Sequence, residues 1–177
     1  AECTNNLYAL AAQAWDGASM TLSTRLTADG RWADIFNKVA QGRPGTANNV
    51  FVQLGMYWQL HLAYDGAEEP MAFYNQFFRL WKSGAYSGYG YDERFALIAA
   101  QAANRDLTEF FTRWGMELSP SVKATLAAYP AEDRAIWYLS DASRNHRLED
   151  GAAAHGEADL TASVGGSEVA LTIHPTD

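Results

Sequence analysis

The run Asn48-Asn49-Val50-Phe51-Val52-Gln53-Leu54-Gly55-Met56-Tyr57-Trp58-Gln59-Leu60-His61-Leu62-Ala63-Tyr64 decides the fold, and Asp65-Gly66 closes it. Phe51, Leu54, Trp58 and Leu62 recur at helical spacing and trace an inner stripe. This is the longest apolar-rich helix the sequence predicts, and other helices are expected to pack around it.

The same periodicity extends on both sides. Upstream, Trp32, Ile35, Phe36 and Val39 share one face of Arg31–Gln41, where Gly42 offers a left-handed cap and Pro44 forbids continuation. Leu7, Leu10, Ala11 and Ala14 line Thr4–Trp15, which Asp16-Gly17 ends. Downstream, Pro70 suits the first turn of a helix carrying Phe73, Phe77, Leu80 and Trp81. Ser83-Gly84-Ala85-Tyr86-Ser87-Gly88-Tyr89-Gly90-Tyr91 then reads as a loop rich in glycine and tyrosine. Asp92–Ala103 resumes a helix with Phe95, Ile98, Ala99 and Ala102 aligned. Asp106 with Glu109 resembles a capping box for a short helix through Trp114, stopped by Gly115. Ser119-Pro120 opens Val122–Ala128.

After Pro130 the pattern changes. Ala135–Leu139 reads as a short strand or extended segment, and Arg144–Gly156 as a polar linker. Glu157–Val164 and Glu168–Ile173 alternate apolar and polar residues around Gly165-Gly166, a hairpin signature. The expected organisation is a helical unit over 1–130, an extended segment and linker over 131–156, and a β hairpin over 157–177. A lone hairpin is marginal, so it either packs on the helices or begins a β domain. The fold class is mainly α, with six or seven helices. Trp32, Phe36, Phe51, Trp58, Phe73, Phe77, Phe95, Phe110 and Trp114 are the expected core.

Composition excludes several function classes. The 177 residues carry a net charge of −8, with 48% apolar and 19% charged residues, which fits a globular domain and not a disordered tail. No stretch gathers Lys and Arg, so the electrostatic footprint of a nucleic-acid binder is missing. No apolar run approaches the ~20 residues that span a bilayer. Cys3 is the only cysteine, which excludes an internal disulfide and a cysteine zinc cluster. The chain opens on Ala1-Glu2-Cys3 with neither signal peptide nor start Met, and reads as a cut inside a longer protein.

Histidine offers no metal set, since His61, His146, His155 and His174 lie far apart. His61, in an apolar helix, is expected to be packed or hydrogen-bonded. H-E-x-x-H, a P-loop, G-x-S-x-G and a dinucleotide fingerprint are all missing from the sequence. Two places stand out. In Glu2-Cys3-Thr4-Asn5-Asn6-Leu7-Tyr8 a carboxylate opens a helix, with two amides one turn on. Glu2 there is either a favourable partner of the helix dipole or a metal ligand, and the asparagines are either polar caps or part of a site. The second place is the Gly/Tyr loop running into Asp92-Glu93-Arg94. Its glycines allow close backbone approach, and Tyr86, Tyr89 and Tyr91 can stack on sugar faces while Asp92 and Arg94 fix polar groups. Equally, Asp92 can cap a helix, Arg94 can pair locally, and the tyrosines can pack between helices.

At these places the sequence resembles the enhancin-like zinc metallopeptidases, which include viral enhancins and bacterial mucin-degrading proteases. Glu2-Cys3-Thr4-Asn5-Asn6-Leu7-Tyr8-Ala9-Leu10 resembles their E-x-T-N-N-[IL]-Y-x-L segment. Tyr57-Trp58-Gln59-Leu60 resembles their aromatic-Q-L helix, and Phe73-Tyr74-x-x-Phe77-Phe78 the helix that follows. Asp92-x-Arg94-Phe95 opens a helix as their D-x-R-type segment does. Asp106-Leu107-Thr108-Glu109-Phe110-Phe111-x-x-Trp114-Gly115 resembles their D-L-T-x-F-F-x-x-W-G signature. Ile136-Trp137-Tyr138-Leu139 with Asp141 and Arg144 resembles the segment after it. The ordered set covers about residues 2–147.

The resemblance implies the helical subdomain of a gluzincin-type metallopeptidase. In that family two histidines of H-E-x-x-H and a glutamate from a following helix hold a catalytic zinc, and Glu2 is the counterpart of that third ligand. The histidines and the general base would lie upstream of Ala1. This chain alone is therefore expected to be inactive and to bind no zinc specifically, with the upstream half of the same polypeptide as its partner. The implied substrate is an O-glycosylated, mucin-like protein, and the implied location is secreted or cell-surface. Tyr86, Tyr89, Tyr91, Asp92 and Arg94 are the candidate substrate contacts. The alternative reading is a non-catalytic glycan- or protein-binding helical module.

Overall fold

The computed structural model describes residues 2–15, 24–42, 49–65, 71–140, 158–165 and 168–175. Seven α-helices appear among them: α1 (Glu2–Trp15), α2 (Arg31–Gln41), α3 (Val50–Tyr64), α4 (Ala72–Lys82), α5 (Tyr91–Ala103), α6 (Thr108–Arg113) and α7 (Pro120–Leu126). A π-helical turn at Thr24–Ala28 precedes α2, and a 3-10 turn at Ile136–Tyr138 follows α7. Strands β1 (Ala158–Gly165) and β2 (Glu168–Pro175) pair antiparallel, with Leu160 opposite Ile173 and Gly165 opposite Glu168. The mainly helical fold and the hairpin both match the sequence pattern. The polar stretch 144–156 and the turn at 166–167 lie outside the described residues.

α3 is the axis of the helical unit. It packs against α1, α2, α4, the π-helical turn and the 3-10 turn. Every residue from Leu54 to Leu62 is buried. The expectation of a single inner stripe was therefore too narrow, because a helix enclosed by neighbours is apolar all round. Asn49 starts it: its side-chain oxygen accepts from the Phe51 and Val52 amides at 2.9 and 3.4 Å. Gly55 lets α2 come close, since an added Cβ would sit 2.4 Å from Ile35 Cδ1.

The end of α3 also begins α4. Asp65 Oδ1 accepts from the Phe73 amide at 2.7 Å, and its Oδ2 meets His61 Nδ1 at 2.7 Å. His61 is thus a buried, hydrogen-bonded histidine, one of the two roles the sequence allowed. Pro70, expected in the first turn of α4, lies outside the described residues.

Of the expected core, Trp58, Phe73, Phe77, Phe95, Phe110 and Trp114 are buried. Trp32, Phe36 and Phe51 pack against the core half-buried. Two local expectations need correction. Within Ala135–Leu139, expected as a short strand or extended segment, only the flanking Leu139 is extended, and Ile136–Tyr138 forms a 3-10 turn. Gln59 fastens it from α3, donating to the carbonyls of Trp137 and Leu139 at 2.6 and 3.2 Å. The capping box of α6 is only half made. Asp106 Oδ1 accepts from the Thr108 amide at 2.9 Å, but Glu109 turns outward to Arg113 at 3.1 Å.

Candidate functional site

α1 carries the first candidate place. Glu2 is its opening residue, and Asn6, one turn on, is buried. The side chain of Glu2 lies outside the described residues. Thr4 and Tyr8 turn toward α4, where the Tyr8 ring stacks on Phe78 at 5.6 Å between centroids.

The second place is the connection from α4 to α5. α4 ends in a Schellman motif: Gly84 N donates to Trp81 O at 3.3 Å, and Ala85 N to Leu80 O at 3.2 Å. Gly84 takes the left-handed conformation this requires, with φ 82°. Two hydrogen-bonded turns follow, from Ser87 N to Gly84 O and from Tyr89 N to Tyr86 O. Tyr86 also has positive φ, 55°, which is uncommon for a bulky residue. The glycines at 88 and 90 do not. Gly90 is extended and caps α5, so Tyr91 opens that helix and Asp92 lies exposed in its first turn. Asp92 is therefore not the N-cap.

Arg94 organises this loop. Its Nε donates to Ala85 O at 2.9 Å and its Nη2 to Trp81 O at 2.7 Å. Its guanidinium carbon lies 4.1 Å from the centre of the Trp81 ring. A cation placed on the last carbonyls of α4 complements the helix dipole, and the stacked ring adds cation–π attraction. Two nitrogens of this side chain thus hold backbone. Glu93 accepts from N of Ser119, the N-cap of α7, at 3.0 Å, and hydrogen bonding from the Ser119 side chain and then its backbone holds the Glu93 carboxyl below the usual range.

Tyr91 closes the arrangement. Its ring meets Trp81 edge-on at 5.5 Å, and its hydroxyl lies 3.3 Å from that of Tyr57 on α3. Tyr57 is fixed from behind, because Tyr74 Oη donates to its carbonyl at 2.6 Å. Burial pushes the Tyr74 hydroxyl far up in pKa, so it stays a donor. Between these groups is a cavity of about 240 Å³ lined by Thr4, Tyr57, Phe77, Phe78, Trp81, Tyr91 and Phe95. It joins the two places that the sequence singled out: Thr4 comes from the Glu2-x-Thr4-Asn5-Asn6 segment, and Tyr91 from the Gly/Tyr loop.

Of the five candidate substrate contacts, only Tyr91 lines this cavity. Tyr89 is 39% exposed and Tyr91 57% exposed. Tyr86 is half-buried and packs edge-on against Tyr89. The sequence did not mark Tyr57, Phe78 and Trp81 as site residues. The available signal was the Trp81 and Arg94 pair flanking the loop. A wider groove of about 670 Å³ lies beside Asp106, Glu109, Arg113 and Glu132. Of its charges, Glu109 pairs with Arg113 and Glu132 with Arg134.

The family model described as Peptidase M60, enhancin and enhancin-like matches residues 1–115. The chain belongs to the M60 peptidase family. The match takes in Glu2, the whole Gly/Tyr loop and the Phe110-Phe111-x-x-Trp114-Gly115 signature. Among solved structures, the ZmpB metallopeptidase from Clostridium perfringens is 27% identical, with a TM-score of 0.61, over 85% of this chain and 31% of that one. The M60 catalytic domain of ZmpB with its CBM51-1 and CBM51-2 domains is 28% identical, with a TM-score of 0.60, over 85% and 16%. The M60 catalytic domain of Clostridium perfringens ZmpC, solved in complex with the sialyl T antigen, shares the fold at 23% identity and TM-score 0.60, over 87% and 31%. The chain thus spans less than a third of each of these structures. Comparison with curated proteins gave no match.

M60 peptidases are zinc enzymes. Among the described residues no three His, Cys, Asp or Glu side chains gather as a metal-binding group. A carboxylate at the first helical position is a donor of suitable chemistry for one zinc ligand, and Glu2 occupies that position. Among the described residues no helix is long and apolar enough to cross a membrane.

Proposed function

We propose that this chain forms the helical wall of the active-site cleft of a secreted or surface-held zinc metallopeptidase acting on O-glycosylated, mucin-like proteins. The observation that carries the reading is the family match over residues 1–115, which includes Glu2 in its Glu2-x-Thr4-Asn5-Asn6 setting. The meeting of that segment with Tyr91 around one cavity supports it.

In this reading Glu2 is the third protein ligand, and upstream chain supplies the two histidines and the general base. A zinc held there would supply Lewis-acid polarisation of the scissile carbonyl and activation of a water. The residues of this chain position substrate. Tyr89 and Tyr91, both exposed, offer aromatic surface to a sugar, and the exposed Asp92 offers its carboxylate to sugar hydroxyls. Arg94 acts as a positioning residue, holding the loop against the end of α4. Residues 1–130 would form this wall, 131–156 a connecting segment, and 157–177 a hairpin appended to it. The chain by itself is proposed to be inactive.

The test is a polypeptide extended upstream of Ala1 by about a hundred residues, one further domain's worth of chain, compared with its Glu2→Gln variant. Expected are near-stoichiometric zinc and O-glycopeptide cleavage in the wild type, both lost in Glu2→Gln. Zinc and activity unaffected by Glu2→Gln would remove Glu2 from the ligand set. An extended wild type with neither zinc nor cleavage would overturn the peptidase reading.

A further inference from the structure

We propose that the cavity between Thr4, Tyr57, Phe78, Trp81 and Tyr91 binds one uncharged apolar side chain, aromatic or branched aliphatic, of the polypeptide on which the protein acts. Identifying that polypeptide as substrate rests on the peptidase reading. The chemistry of the pocket does not.

Size comes first. The cavity measures about 240 Å³, and an engineered apolar cavity of about 150 Å³ binds benzene. A phenyl ring or a leucine side chain therefore fits, with room for adjoining backbone at the mouth. Charge comes second. Among the described residues the lining is six aromatic residues and one threonine, and the nearby Arg94 guanidinium is engaged with Ala85 O, Trp81 O and the Trp81 ring, so a sialate, phosphate or carboxylate finds no charged group in that lining. Hydrogen bonding comes third. A pyranose would bring several hydroxyls into a space whose own polar groups are few, and the Tyr57 and Tyr91 hydroxyls already face each other at 3.3 Å. Burying sugar hydroxyls there without partners is unfavourable, whereas an apolar side chain asks for none. Sugar stacking, by contrast, suits the exposed faces of Tyr89 and Tyr91 outside.

The walls are unequal in a way that suits a binding pocket. Phe77, Phe95 and Tyr57 are buried and locked in a ring cluster, with Phe77–Phe95 at 4.9 Å and Tyr57–Phe95 at 5.0 Å. Tyr91 is 57% exposed, which places a solvent-facing wall at the mouth and a buried floor behind it. One rim, Thr4, stands two residues from Glu2, which the peptidase reading places at the zinc, and on that reading the occupant is a side chain of the substrate polypeptide.

The experiment is a titration of this chain, isotope-labelled, with N-acetyl-phenylalanine amide, followed by NMR. N-acetyl-glycine amide and N-acetylgalactosamine are run beside it. Saturable shifts are expected with the phenylalanine amide at the Trp81 indole N–H and the Phe78 and Tyr91 amides, and none with the glycine amide. Thr4→Leu and Phe78→Trp, which each fill the space, should weaken binding ~10-fold or more. Absence of those shifts in the wild type would overturn the proposal even if neither variant folds. So would undiminished binding in both folded variants, or shifts with N-acetylgalactosamine but not with the phenylalanine amide. The titration involves neither zinc nor turnover, so it fails separately from the Glu2→Gln test.

Discussion

The indole N–H of Trp114 donates to Oε1 of Gln59 at 2.9 Å, joining two fully buried side chains 55 residues apart. The amide of Gln59 then donates to the carbonyls of Trp137 and Leu139. One side chain on the central helix therefore satisfies α6 on one side and the 3-10 segment on the other. The aromatic-Q-L and F-F-x-x-W-G pieces, separate in sequence, are one hydrogen-bonded unit in space.

Gln59→Leu keeps the approximate volume but leaves the Trp114 N–H and two carbonyls buried without this partner. Each such group costs about 1–3 kcal/mol, so a loss of roughly 3 kcal/mol or more is expected. Trp114→Phe should cost less in hydrogen bonding but add a packing loss. Urea unfolding of the two variants and the double variant checks this. Strictly additive losses would show that the Gln59–Trp114 contact carries no coupling.

Much of the fold was legible because its punctuation is local. Gly42 after α2, Gly115 after α6 and Ser119-Pro120 before α7 each act within a few residues of where they stand. What escaped depends on distant partners. The run Ile136–Tyr138 has the same short apolar look as a strand, and distant partners such as Gln59, 78 residues back, hold it against α3 as a 3-10 turn. Asp92 and Arg94 were both legible as polar groups beside a loop. That Arg94 turns inward to the end of α4 follows from the path of the loop, including a left-handed Tyr86 where a glycine was the obvious candidate. The cavity was illegible for the same reason: its walls come from four helices.

Gly55→Ala tests the close approach of α3 and α2. The new Cβ would clash with Ile35 Cδ1 and lie 2.8 Å from its Cγ1, and Ile35 is fully buried, so its side chain or α2 must shift within the packed core. Overpacking of this kind costs typically about 1–3 kcal/mol. Ile35→Val removes the atom in closest conflict. Thermal unfolding should therefore show the double variant less destabilised than the sum of the singles. A Gly55→Ala protein as stable as wild type would mean that α2 shifts freely.

Acid should weaken the junction between α3 and residues 132–134. Burial of Glu132 favours its neutral form, but hydrogen bonds from Arg134 and Tyr64 and the charge of Arg134 outweigh it, and its carboxyl stays below the usual 4.5. A carboxyl depressed in the folded state contributes stability above its unfolded pKa, and that contribution is lost as pH falls through the folded value. Wild type should thus lose stability between about pH 5 and pH 2 more steeply than Glu132→Gln, which is less stable at neutral pH but flatter in acid. Denaturation midpoints at stepped pH check this, and parallel curves would assign the acid loss to other carboxylates.

Arg94 offers the clearest separation of loop architecture from ligand contact. Arg94→Ala removes both backbone bonds and the stack on Trp81, and should cost about 1–3 kcal/mol. Arg94→Lys keeps the charge but cannot span Ala85 O and Trp81 O with one planar fork, so it should recover only a minor part. Amide exchange sharpens the test. The Gly84 and Ala85 amides, bonded into the end of α4, should exchange faster in both variants, while those in α3 are slowed or sped only as global stability changes. Unchanged exchange at Gly84 and Ala85 in Arg94→Ala would show that the Schellman turn holds without the guanidinium, freeing Arg94 for direct substrate contact.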